Sequence, residues 1–88
     1  MDPFAQIDLI VELLTQLGVE IRREKMGGDG GGFCQMRGRR VMFIDEDADV
    51  ATRVERCIAG LAMLPETESM FLPPDLRERV EQARADEQ

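Results

Sequence analysis

Histidine, tryptophan and tyrosine are all absent from this 88-residue chain, and four phenylalanines are its only aromatics. Without an imidazole it lacks the side chain whose ordinary pKa lies near neutrality, so general acid and base work would fall to carboxylates alone. Scarce aromatics leave no row of stacking platforms for single-stranded nucleic acid, with only Phe33 placed for that role. The two cysteines, Cys34 and Cys57, stand in no metal-ligand spacing and read as reduced, buried thiols within a strand and a helix. No apolar run is long enough for a bilayer, and MDPFAQIDLIVELL carries acids where an export signal would carry bases. These absences lead to the expectation of a cytoplasmic protein with no membrane contact, no cofactor and no metal.

The length bounds the chain to one small core, and 43% hydrophobic with 33% charged residues is enough to fold and stay soluble. We expect a single α+β domain over residues 1–83, with 84–88 as a frayed tail. The net charge of -7 disfavours nucleic acid and anionic lipid unless positive charge is gathered in one place. It is partly gathered: residues 21–44 hold six basic side chains against Glu24 and Asp29, while the rest of the chain holds five basic and sixteen acidic ones.

Asp2 is a good N-cap and Pro3 suits a first helical position. Ile7, Ile10, Val11, Leu14 and Leu17 recur at helical spacing before Gly18 closes the helix. From Val19 the period becomes two, with Val19 and Ile21 alternating with Glu20 and Arg22, which predicts a strand ending near Lys25. Met26–Gly32 reads as a mobile connector, because glycine is costly to order. It matches neither GxGxxG nor GxxxxGK, and a strand follows it, so a phosphate cradle is not expected there. Phe33–Met36 and Arg40–Asp45 flank Arg37, Gly38 and Arg39 as a tight hairpin. Strand alternation puts Cys34, Met36, Val41 and Phe43 on one face, which is wholly apolar and expected to meet the helices. Phe33, Gln35, Arg40, Met42 and Ile44 share the other, on which Phe33, Met42 and Ile44 are expected to await a partner or the C-terminal segment.

Val50, Val54, Cys57, Ile58, Leu61, Ala62 and Leu64 predict an amphipathic helix stopped by Pro65, with Gly60 marking close packing on the sheet. Met70, Phe71 and Leu72 read as anchors, and Pro73 and Pro74 open a short last helix with Leu76 and Val80 inward. The expected architecture is therefore α+β: an N-terminal helix, a small three-stranded sheet with a central hairpin, an amphipathic helix and a short C-terminal helix.

The stretch VMFIDEDAD, residues 41–49, empties an apolar strand into four carboxylates. Asp45, Asp47 and Asp49 have the spacing that opens a calcium loop, but Val50 replaces the sixth-position glycine and Arg56 the twelfth-position glutamate. The strand followed by DxD also resembles the start of haloacid-dehalogenase phosphotransferases. That resemblance implies a nucleophilic first aspartate and an acidic second one, and it departs at Asp49, where that family has threonine or valine. The simpler reading is that Asp47 or Asp49 caps the following helix. The element order is similar to a minimal zincin metallopeptidase core, whose HExxH would fall on Val54, Glu55, Arg56, Cys57 and Ile58. Only Glu55 matches, so the resemblance implies a scaffold without the metal ligands.

Arg37, Arg39 and Arg40 at the hairpin, near Arg22, Arg23 and Lys25, form a candidate binding surface for carboxylate or phosphate. Together with Phe33, Met42 and Ile44 they are the expected partner-binding residues, and no residue is expected to be catalytic. The leading expectation is a non-enzymatic acidic interaction module, a homodimer or a subunit of a larger assembly. The alternative is a small metal-dependent hydrolase or phosphotransferase using Asp45, Asp47 and Asp49.

Overall fold

A computed structural model describes residues 1–86 of the chain. Helix α1 (Pro3–Gln16) leads into strand β1 (Val19–Glu24), then β2 (Gly31–Met36) and β3 (Arg39–Asp45). Helix α2 (Val50–Ala62), a 3-10 turn (Pro65–Ser69) and helix α3 (Pro74–Asp86) complete it. This is the α+β order that the sequence predicts. Among the described residues no helix is long and apolar enough to cross a membrane.

Both long helices begin where a side chain can satisfy orphan amides. Asp2 accepts from the amides of Phe4 and Ala5, and Asp49 accepts from Thr52. After α1 the chain turns at Gly18, whose φ of 78° is the left-handed value usual just beyond a helix end. Strand β3 is central: β1 pairs with it in parallel and β2 antiparallel, giving the order β1-β3-β2. Arg37 and Gly38 form the two-residue turn between β2 and β3, both with positive φ, as the twist of a tight hairpin requires.

Register decides the faces, and it reverses the expected ones. Ile21 pairs beside Met42 and Arg22 beside Phe43, so the charged alternate residues of β1 share a side with Val41 and Phe43. Those charges cannot enter a core, and the other face, with Val19, Ile21, Phe33, Met42 and Ile44, packs on the helices. Met42 is 0% exposed and Ile44 1%. They are core residues and cannot meet a partner. Gln35 and Arg40 lie at the rim of the same face, where Arg40 reaches out to Glu66 at 2.6 Å and 3.2 Å.

Helix α2 contacts both β2 and β3, while α1 contacts β1. Gly60 permits that approach: a Cβ there would sit 3.0 Å from the Met42 sulfur and 3.4 Å from Phe33 Cβ. The link to α3 departs from expectation in one residue. Leu72 is buried and Met70 packs on the core, but Phe71 points away, 86% exposed.

The C-terminal helix also holds together longer than expected. It runs through Asp86, and Arg84 donates to the carbonyls of Ala62 and Leu64 and to the buried Thr67 hydroxyl, while its ion pair with Glu68 is 3.1 Å. Arg77 does the same for the carbonyls of Thr67 and Met70. Two guanidinium groups thus bond carbonyls at the end of α2 and along the turn, those of Leu64 and Thr67 also accepting from the amides of Thr67 and Met70. Residues 84–86 therefore belong to the domain, and the expected fraying of 87–88 lies outside the described residues. Arg84→Ala is predicted to lower stability by about 2 kcal/mol, on the order of 10 °C in Tm, as read by thermal unfolding.

Candidate functional site

The acidic stretch and the glycine loop, far apart in a reading of motifs, meet at the C-terminal end of β3. Asp45 is 0% exposed, the only fully buried carboxylate among the described residues. Its Oδ1 accepts from the amides of Met26 at 2.8 Å and Asp47 at 2.9 Å. Its Oδ2 accepts from Gly28 at 2.7 Å and Gly30 at 3.0 Å. Asp47 adds a fifth bond to the assembly by accepting from Gly27 at 3.0 Å.

The loop is therefore not the free connector that its composition suggests. Residues without side chains let the backbone wrap close enough to aim alternate amides at one carboxylate. Gly31 shows how tight the wrapping is: its φ is 83°, and a Cβ there would lie 2.1 Å from the Phe43 carbonyl oxygen. Burial alone would push the Asp45 carboxyl up. The amides of Gly30, Met26, Asp47 and Gly28 outweigh it and bring the pKa down to about 2.

This geometry settles what the loop amides can hold. They form an anion nest, and the anion in it is the chain's own Asp45, so no inward amide of Met26, Gly28 or Gly30 is left for a phosphate. The other aspartates are engaged too. Asp49 caps α2 through the Thr52 amide, and the amide and hydroxyl of Thr52 hold its carboxyl below the ordinary range. The three aspartates that would open a calcium loop are thus divided between two tasks, Asp45 and Asp47 holding loop amides and Asp49 capping α2. Among the described residues no group of three or more carboxylates and thiols stands close enough to hold a metal ion.

The side of the sheet opposite the helices is the second feature of note. Cys34, Met36, Val41 and Phe43 lie there with Glu20, Arg22 and Arg39. Val41 is buried, Cys34 and Phe43 are half-buried, and Met36 is exposed. Arg22 lies over the Phe43 ring with its guanidinium 5.9 Å from the centroid, and pairs with Glu20 at 2.5 Å. Cys34 thus stands on the open face, unlike Cys57, whose thiol burial pushes up to about 11 although Arg23 lowers it in part.

The hairpin arginines are not gathered into one cradle. Arg40 turns to Glu66, Arg39 makes a long 3.9 Å contact with Glu20, and Arg37, at the tip, has no ion pair among the described residues. Phe33 packs against the core through its side chain and keeps one edge of its backbone unpaired by any strand. Sequence reasoning missed Asp45 as the organiser of the loop. The signal lay in a carboxylate at a strand end paired with a glycine run, which offers amides and nothing else to bind.

Replacing the carboxylate separates charge from shape. Asp45→Asn presents an NH2 group where two amides already point, and the expected result is a fall in Tm of roughly 10 °C or more. The folded pKa lies below the unfolded one, so the stability contributed by Asp45 is complete above about pH 4 and drains away as pH falls toward 2. An acid titration of Tm checks this: the wild type loses stability across that window, and the Asn variant shows a shallower loss.

Compared with known protein families, with curated proteins and with solved structures, the chain has no match.

Proposed function

We propose that the protein is a non-enzymatic interaction module that works by self-association. The observation that carries this reading is the one-sided sheet. Among the described residues the three helices pack against the Val19, Met42 and Ile44 face or against one another, and none lies over the face with Met36 and Phe43. Small sheets are stable with one wet face, but that face is then usually polar along its length. Here β3 places the half-buried Phe43 on it, beside the buried Val41, and β2 places Cys34 and Met36.

Segregated charge supports the same reading. With a net charge of -7, two copies repel each other at long range, so a contact between them needs a region that is neutral or oppositely charged. The sheet and its hairpin are that region. The acidic stretch gives no comparable support to catalysis, because its three aspartates are committed to backbone amides that hold the fold.

Sedimentation velocity at tens of micromolar is expected to return twice the 9.9 kDa chain mass. A single species at the monomer mass would remove the reading.

A further inference from the structure

The two edges of the sheet differ in kind. Strand β1 carries Glu20, Arg22, Arg23 and Glu24, which is the usual protection of an exposed edge against another strand. Strand β2, GGFCQM, has no charge and no proline, and no strand pairs with its outer side among the described residues. In a chain that is 33% charged, this is an unprotected edge.

Its hydrogen-bonding groups are also arranged for use. The two-residue turn makes Met36 and Arg39 a hydrogen-bonded pair, so along the antiparallel ladder Cys34 and Met36 point their backbone groups at β3. The Asp45 amide donating to the Gly30 carbonyl continues that alternation. Phe33 and Gln35 must then turn their N–H and C=O groups outward.

We propose that a second copy of this chain pairs with β2 edge to edge, antiparallel about a two-fold axis at Phe33, making one six-stranded sheet. The proposal rests on the self-association reading above and places the contact at the edge of the sheet, beside its open face. In this register Phe33 faces the second copy's Phe33, and Gln35 faces its Gly31. Both are pairings of outward-facing residues, as an antiparallel ladder requires.

Charge is what selects a second copy as the occupant. One end of β2 is the hairpin tip with Arg37 and Arg39, and the other is the glycine loop with Asp29, next to Asp47, with Arg56 on the helix side of Gly30. Antiparallel pairing brings each basic tip against the acidic loop of the other copy, with Arg37 beside the second copy's Asp29. Both side chains are exposed, and neither has an ion pair within its own chain among the described residues. A parallel arrangement would set like charges together.

The flank of α2 above this edge fits the same contact. Thr52 and Arg56 lie against Gly30, Gly60 lies against Phe33, and the helical period continues that stripe through Ala59 to Met63, which is 54% exposed. Edge pairing brings the small Ala59 and the exposed Met63 toward the neighbouring helix.

Sedimentation equilibrium of the full chain and four variant samples tests this, with far-ultraviolet circular dichroism as a check on folding. Gln35→Pro removes one outward amide from an exposed edge position, and it is expected to give a folded monomer. Arg37→Glu and Asp29→Arg are each expected to weaken the dimer several-fold, since each sets like charges across the interface. An equimolar mixture of those two variants is expected to associate as tightly as the wild type, because each chain then meets the opposite sign at both ends. A folded Gln35→Pro chain that still dimerises would overturn the edge while leaving self-association standing. Recovery that fails in the mixture would overturn the antiparallel register. A wild type that is monomeric would overturn both this proposal and the reading beneath it.

Discussion

A buried carboxylate closed on four backbone amides is the interaction on which the rest of this structure depends. Asp45 ends the central strand, and three of the four amides it collects belong to the loop that joins β1 to β2, the fourth being that of Asp47. Asp47 adds one bond, to the Gly27 amide, but the glycines have no side chains to pack and the Asp45 carboxylate supplies most of what fixes the loop's path. By anchoring Gly28 and Gly30 beside the end of β3, the carboxylate sets where β2 begins, with Gly31 against Ile44. From there the hairpin register, the inward Phe33 and the position of the free edge all follow. The full charge of Asp45 is tolerable inside the protein because each oxygen accepts two amide bonds, an arrangement that favours the ionised form.

Much of this fold was legible in the sequence, because local chemistry spoke for it. Asp2, Pro3 and Gly18 delimit α1 and Pro65 follows α2 as expected, while the structure selects Asp49 over Asp47 as the cap of α2 and Arg37-Gly38 as the turn around the expected Gly38. The faces of β2 and β3 were not legible from the hairpin alone. Within it, Cys34, Met36, Val41 and Phe43 form the purer apolar set, and hydrophobicity would bury them. The decision was made by β1, whose parallel pairing sets Glu20 and Arg22 beside Val41 and Phe43. The alternation of β1 was visible in the sequence. Its partner and direction were not, since parallel pairing is a tertiary choice that no local pattern announces.

The acidic stretch shows the same division. Asp49 as a helix cap could be read from its neighbours. Asp45 could not, because three of its four partners lie fifteen to nineteen residues upstream. Likewise the last helix was expected to fray after Ala83 because its sequence is polar, whereas Arg84 is held by carbonyls at the end of α2 that only the folded chain brings near.

Amide hydrogen exchange of the native protein tests the central claim most directly. If Asp45 holds the loop, the amides of Met26, Gly28 and Gly30 exchange on the timescale of Met42 and Ile44 in the core of β3, while the Asp29 amide between them exchanges quickly. Uniformly fast exchange from Met26 to Gly30 would contradict the account, because the loop would then be the free connector that its composition suggests.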